Sequence, residues 1–157
     1  MNMKRIMCAA LSALVLLTGC SGERMEPVEY AQAVMESGQE YFDMQRQLTY
    51  DAVENGLERS EFKAIRKEAE AVLKTIRRLS APEEYSELHE QLCDGVEREL
   101  EWLELAEKLC YSDDDKMDEL SAEIEQLVSD PVFPMTVLEI GRAVDKDTDG
   151  AFLETLR

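Results

Sequence analysis

The stretch HEQLC, residues 89–93, contains two side chains that could bind a metal ion. His89 and Cys93 are four residues apart, a spacing that places them on one face of a helix. Imidazole and thiolate groups both bind zinc, and Glu97 would continue the same face. The chain has no second histidine. No cysteine cluster supplies the remaining ligands, so we expect an ordinary helical pair, with a metal site as the alternative.

The same stretch resembles the zincin signature H-E-x-x-H, with Cys93 in place of the second histidine. That resemblance implies a metal-dependent hydrolase in which Glu90 would act as the general base. The departure at Cys93 leaves the metal without a complete ligand set. No Gly-rich phosphate loop, C-x-x-C or G-x-S-x-G occurs elsewhere in the chain. We therefore predict that the protein is not an enzyme, and an activity around His89 is the least favoured hypothesis.

The acidic stretch DKDTDG, residues 145–150, is a second candidate cation site. Carboxylates at alternate positions, followed by a glycine that allows a sharp turn, suit a hard cation such as Ca²⁺. The stretch resembles the first half of an EF-hand calcium loop. That resemblance implies weak Ca²⁺ binding by three carboxylates and one backbone carbonyl, those of Asp145, Asp147, Asp149 and Ala151.

The remainder of this stretch departs from the calcium-loop pattern. The last ligand position, normally a bidentate glutamate, is Leu156, and Glu154 comes two residues too early. The alternative is a solvated acidic turn that ends a helix, with Gly150 in the left-handed conformation. We expect the turn and keep the calcium site as an alternative.

Cys93 and Cys110 are the two thiols of the helical part of the chain. On one continuous helix, seventeen residues separate their Cα atoms by roughly 25 Å. A disulfide needs Cα atoms about 4.4–6.8 Å apart. A bridge would therefore require a sharp break at Gly95, a candidate kink. We expect two buried or half-buried free thiols.

The first twenty residues have the layout of an export signal. Lys4 and Arg5 precede an apolar run over residues 6–17, and Leu17-Thr18-Gly19-Cys20 follows. The run is shorter than the roughly 20 residues of a membrane-spanning helix. The ending resembles the lipobox of bacterial lipoproteins. That resemblance implies cleavage before Cys20 and a diacylglyceryl thioether on its sulfur, with acyl chains such as palmitate; the alternative is an ordinary cleaved signal peptide.

The resemblance implies three segments. These are a signal peptide over residues 1–19, the lipidated Cys20 with its tether over 20–26, and a helical domain over 27–157. Two or three acyl chains anchor a protein stably, whereas one chain binds reversibly. We expect a protein held on the exported side of the bacterial envelope. Its location would be the outer face of the plasma membrane or, since Ser21 is not the aspartate of inner-membrane retention, an outer membrane.

The charge of the exported chain is strongly negative. Removing residues 1–19 removes Lys4 and Arg5 and no acid, which leaves 15 Lys and Arg against 35 Asp and Glu, a net charge of −20. Nucleic acids are bound through basic surfaces, so this charge excludes them as partners. It also disfavours direct contact with anionic lipid. Cationic partners are compatible with it.

Helical periodicity covers nearly everything after the tether. The apolar spacing and breakers predict helices over about 27–54, 60–79, 82–110, 112–128 and from Pro134 to about 144. Pro131 and Pro134 interrupt the pattern before the last one. The short connections favour an all-α fold, an antiparallel up-down bundle of four main helices plus a short C-terminal helix.

Two surface expectations concern the third helix. Its glutamates are expected to form a solvated face: Glu97, Glu99, Glu101, Glu104 and Glu107. Trp102 is expected to pack in the core or at its rim. As a function we predict a non-catalytic binding or scaffolding module for a protein or peptide partner, with a groove or apolar patch on one face.

Overall fold

The computed structural model describes residues 24–54 and 56–156. The lipobox and Cys20 lie outside these residues. Within them the chain is all-helical and contains no strand, which confirms the predicted all-α class. The main helices are α1 (Pro27–Glu54), α2 (Arg59–Ile76), α3 (Ser86–Cys110), α4 (Asp114–Val128), α5 (Val132–Asp147) and the short α6 (Ala151–Thr155), with a 3₁₀ turn at Glu83–Tyr85.

The helices differ sharply in how much they contribute to the core. Helix α1 packs along α2 and α5, and α3 packs along α5 and α2. Helix α4 makes its main contacts with α3, and none of its described side chains is buried. Its apolar stripe is narrow and flanked by acids, so it can cover only one neighbour.

Helix α5 was predicted to be a short addition, and this prediction is wrong. It has 16 residues, six of which are buried, including Phe133, Val137 and Ile140. Apolar residues on a broad arc let α5 face α1 and α3 together. The sequence pattern predicted a start at Pro134, whereas the helix begins at Val132, since a proline is tolerated in the first turn of a helix.

Gly95 is a point of close approach between helices and does not kink α3. A Cβ atom placed there would lie 2.8 Å from the backbone Cα of Phe133, closer than packed atoms come. Helix α3 runs through this position without interruption. Cys93 and Cys110 are therefore far apart on one helix, and both are free, as expected.

An ionic seam joins α2 to α3. The carboxylate of Glu107 on α3 has only 10% of its side chain exposed and meets three cations of α2. Its oxygens lie 2.6 Å from Arg66, 3.5 Å from Arg59 and 3.8 Å from Lys63. The seam thus fixes the register of the two helices with charge that is almost fully compensated.

Candidate functional site

A surface cleft of about 170 Å³ opens between α1, α3 and the connection from α4 to α5. Polar and apolar groups contribute about equally to its surface. The residues that matter for its chemistry are Phe42, Gln45, Arg98, Glu99, Trp102 and Val128.

The helices place these side chains by simple periodicity. Gly95, Glu99 and Trp102 follow one another at four- and three-residue spacing, so they line one side of α3. The missing side chain at Gly95 lets the start of α5 approach and close one end of the cleft. Phe42 and Gln45 have the same spacing on α1 and form the facing wall.

Arg98 lies at the rim of the cleft. Its guanidinium donates to the backbone carbonyl of Leu127 at 2.8 Å and to the carboxylate of Asp130 at 3.1 Å. A cation at the last carbonyls of a helix is favoured by the helix dipole. Arg98 thereby ties the end of α4 to α3, and its charge is already engaged by these partners.

Glu99 is the ionisable group at the floor. Its Oε2 atom accepts hydrogen bonds from the Tyr41 hydroxyl at 2.5 Å and from Gln45 Nε2 at 3.1 Å. Burial raises the pKa of Glu99, although the Tyr41 hydrogen bond and Arg98 act in the opposite direction. Burial, together with the Glu99 carboxylate, also raises the pKa of Tyr41 well above its usual range. The carboxylate is thus held by neutral donors.

The second oxygen of Glu99 faces solvent. No hydrogen bond between described residues reaches Oε1, and no side-chain oxygen among those residues is both buried and unpaired. Since Glu99 lines the cleft, Oε1 is the oxygen that an entering group can meet. Trp102, 7% exposed, lies one helical turn further along the same wall, so the expectation that it packs at the core rim is confirmed.

Glu99 and Glu107 were both expected on a solvated face, and for these two residues the expectation is wrong. The sequence does contain the signal that finds them. Counting from the buried Val96 by three, four and four residues reaches Glu99, Leu103 and Glu107, all on the inward side of α3. Because so many residues of this segment are glutamates, the two that face inward were not distinguished from the exposed ones. Glu97, Glu101 and Glu104 are exposed as expected.

His89 and Cys93 do lie together on α3. The Nε2 atom of His89 is 3.7 Å from the Sγ atom of Cys93, and its Nδ1 atom is 3.0 Å from the Tyr30 hydroxyl. Burial lowers the pKa of His89 and raises the pKa of Cys93. An imidazole and a thiol, both uncharged, therefore form a half-buried pair.

The two glutamates proposed for this site, Glu97 and Glu90, do not join the pair. Glu97 forms an ion pair with Arg77 at 3.0 Å, and Glu90 is exposed. Nowhere in residues 24–54 and 56–156 do three His, Cys, Asp or Glu side chains come together as a metal site. Cys110 is exposed rather than buried or half-buried, because it is the last residue of α3.

The acidic stretch 145–150 is divided between the end of α5 and the turn that follows it. Asp145 and Asp147 lie within α5, two positions apart, which directs their side chains to different sides of the helix. Asp145 Oδ1 accepts from the Leu153 amide at 3.0 Å, and Asp147 Oδ2 accepts from the Tyr85 hydroxyl at 3.1 Å. Burial and this hydrogen bond raise the pKa of Tyr85 to about 12.

Asp149 and Gly150 form the turn between α5 and α6, with φ angles of 52° and 86°. The predicted left-handed glycine is therefore present. Two of the three proposed carboxylate ligands, Asp145 and Asp147, therefore accept hydrogen bonds from protein groups. Ala151 is the first residue of α6.

Comparison with known proteins adds no relative. No protein family model, no curated protein and no solved structure matches the chain. In the described part of the chain, no helix is both long enough and apolar enough to cross a membrane.

Proposed function

We propose that the protein is a lipoprotein of the bacterial envelope whose helical domain is a non-catalytic binding module. Cleavage before Cys20 and lipidation of its sulfur anchor the chain on the exported side of the membrane, as the Leu17-Thr18-Gly19-Cys20 motif implies. Helices α1, α2, α3 and α5 would form an antiparallel up-down bundle, an arrangement that their mutual packing supports.

The observation that carries the proposed binding role is the Glu99 cleft. Among the residues that the structure describes, no donor reaches the second oxygen of this carboxylate and no cation lies at hydrogen-bond distance, so it has unused capacity for a positive charge. Trp102 and Phe42 supply aromatic walls, and an aromatic face attracts a cation by up to about 2 kcal/mol when water is excluded. The net charge of −20 favours the approach of cationic surfaces.

The partner that fits is a protein or peptide that inserts a lysine or arginine side chain into the cleft. The ammonium or guanidinium group would bind Glu99 Oε1 and compensate the charge that burial disfavours. The polar side chains that line the cleft are Gln45, Arg98, Glu99 and Asp130, all of which can form hydrogen bonds or ion pairs with a partner. Binding by such a cleft needs no bond to form or break.

Site-directed photocrosslinking in the native cell tests this role. A photoreactive residue at Gln45 in the cleft is compared with one at Lys67, an exposed position on α2. We expect a discrete adduct from position 45 only, lost when Glu99→Gln is added and retained with Glu104→Gln. Equal adducts from positions 45 and 67, or an adduct insensitive to Glu99→Gln, would refute binding in the cleft.

Mass spectrometry of the mature N-terminus tests the anchor independently. The proposal requires a terminus at Cys20 that carries a diacylglyceryl mass, and Cys20→Ser should abolish both cleavage and modification. An unmodified terminus at another residue would overturn the anchor and leave the cleft untouched.

Calcium binding at the C-terminal turn is the second candidate, and the D-x-D-x-D-G pattern is what favours it. Binding would require Asp145 and Asp147 to leave the Leu153 amide and the Tyr85 hydroxyl, which means unwinding the end of α5. Thermal unfolding with and without millimolar CaCl₂ tests it. An upward shift of the midpoint that disappears in Asp149→Asn would support the site, and an unchanged midpoint would eliminate it.

A further inference from the structure

The carboxylate of Glu99 presents one oxygen to the cleft, not two. Its Oε2 atom is occupied from α1 by the Tyr41 hydroxyl at 2.5 Å and by Gln45 Nε2 at 3.1 Å. Tyr41 is fully buried, and its ring packs edge-on against Phe133 with ring centroids 5.5 Å apart, so packing fixes the hydroxyl in place. Among the described residues, no donor reaches Oε1. A group that enters the cleft therefore meets a single free carboxylate oxygen.

We propose that the cleft selects a lysine side chain of the partner over an arginine side chain, a preference that rests on the binding role proposed for the cleft. A guanidinium group binds a carboxylate best through two parallel N–H···O bonds, one to each oxygen. Because Tyr41 and Gln45 occupy Oε2, only one of these two bonds is open to arginine. An ammonium group is a compact charge with three rotatable donors, so it needs no pair of acceptors in one plane.

Gln45 contributes a second acceptor for an ammonium group. An ionised carboxylate has no hydrogen to donate, so the amide nitrogen of Gln45 must face Glu99, and its amide oxygen is left as an acceptor. No hydrogen bond between described residues reaches that oxygen, and Gln45 lines the cleft. An ammonium group rotates about its stem, so it can use the charged and the neutral acceptor independently.

The shape of the cleft favours the same side chain. Trp102 is 7% exposed and Phe42 is half-buried, so the two rings border the cleft with little open face on which a planar guanidinium could stack. The cleft is small, about 170 Å³, which suits the compact ammonium group. Leu127 and Val128, the latter 52% exposed, form an apolar rim along which the aliphatic stem of lysine can lie. The cleft thus fits a long apolar stem with a compact charged end.

Trp102 provides a direct readout, because it is the only tryptophan of the chain and lines the cleft. Its fluorescence is followed while the purified full chain is titrated with one of two pentapeptides at physiological salt, which screens non-specific attraction to the acidic surface. The peptides are blocked at both ends and are identical except for a central lysine or arginine between glycines. Only the side chain of that central residue therefore carries charge.

We expect the lysine peptide to bind the parent chain about tenfold more tightly than the arginine peptide, because arginine forgoes one charge-assisted hydrogen bond. Gln45→Ala frees Oε2 towards the cleft, so it should strengthen arginine binding and bring the two affinities to within about threefold of each other. Gln47→Ala, at an exposed glutamine of the same helix, should keep the full preference. Glu99→Gln should weaken the binding of both peptides, and circular dichroism shows whether each variant is folded.

Two results would overturn the preference for lysine. The first is that the parent chain binds both peptides equally, or binds the arginine peptide more tightly. The second is that Gln45→Ala, while folded, leaves the preference as large as in the parent chain, which would mean that access to Oε2 does not decide it. If Glu99→Gln weakens both peptides in either case, the cleft keeps its proposed binding role and only the selectivity is refuted. No fluorescence change with either peptide at millimolar concentration would refute the selectivity and the binding role together.

Discussion

Helix α3 carries a buried carboxylate, Glu107, and a half-buried one, Glu99, on two of its sides, and their surroundings are opposite. Towards α2, Glu107 meets the cations of Arg59, Lys63 and Arg66. Towards α1, Glu99 meets a tyrosine hydroxyl and an amide, and no cation of the described residues forms an ion pair with it. Glu107 has its charge compensated within the fold, whereas Glu99 has not. The ion pairs of Glu107 therefore stabilise the packing of α3 against α2. Glu99, on the α1 side, keeps a charge that a partner could compensate.

The largest effect should come from the α2 side. Glu107→Ala leaves Arg66 and its neighbours facing a partly dry seam without a counter-charge. Breaking a buried ion pair costs about 3–5 kcal/mol, and the partial exposure of these cations lowers the expected loss to about 2–3 kcal/mol. Urea denaturation measures it.

The control for Glu107→Ala is Glu101→Ala, at an exposed position of the same helix, which should change the free energy of unfolding by no more than about 0.5 kcal/mol. A loss below about 1 kcal/mol for Glu107→Ala would mean that the ion pairs of Glu107 are as weak as ordinary surface pairs. The contrast between Glu107 and Glu99 would then be lost.

The next largest effect should come from Gly95→Ala at the end of the cleft. The new methyl group would press on the backbone of Phe133, and overpacking costs about 1–3 kcal/mol. The helix preference of alanine returns up to about 1 kcal/mol, so we expect a net loss of about 1–2 kcal/mol.

Gly38→Ala is the matched glycine on α1. Its Cβ would lie 3.4 Å from Val137 Cγ1, a tight contact that a small shift accommodates. We expect this variant to be unchanged or slightly more stable in the same denaturation assay. Equal effects of the two substitutions would mean that α3 and α5 can separate at Gly95 without cost.

Glu99→Gln should have a smaller effect, and its sign should depend on pH. The native state raises the pKa of Glu99 above the ordinary 4.5, so the stability from this group is fully present below that value. It is lost as pH rises through the native pKa. Glutamine keeps the hydrogen bonds and does not ionise, so the variant should gain stability relative to the parent as pH rises from about 4 to 7.

Glu104→Gln is the control for the pH series. The Lys108 hydrogen bond and charge lower the pKa of this exposed carboxylate, so its contribution is present at neutral pH and is lost on acidification. The two variants should therefore differ from the parent in opposite directions across the series. A parallel pH dependence would show that Glu99 is solvated like Glu104.

The smallest effect should come from α4, none of whose described side chains is buried. Met117 is 41% exposed, so Met117→Gln should change the free energy of unfolding by less than about 0.5 kcal/mol. Met44→Gln, at a position 9% exposed on α1, should cost more than about 1 kcal/mol because it buries an amide. A large loss at Met117 would mean that α4 belongs to the core.

The helices were predictable because their signals are local. Apolar spacing and the prolines at 131 and 134 act within a few residues of the boundary that they define. Which of α4 and α5 contributes more to the core was not predictable, because it depends on how many neighbouring helices each one contacts. The same limit applies to Glu99 and Glu107, whose surroundings come from α1 and α2.

Sequence by itself determined the all-α class, the helix boundaries to within about a turn, the acidic charge and the wide separation of the two thiols on α3. All of these follow from periodicity, composition and the length of one helix. Tertiary structure alone decided that Glu99 faces a cleft, that Glu107 meets three cations and that Tyr30 orients His89. The hydrogen-bonded and ion-paired partners in these sites are 41 to 59 residues apart, so only packing brings them together.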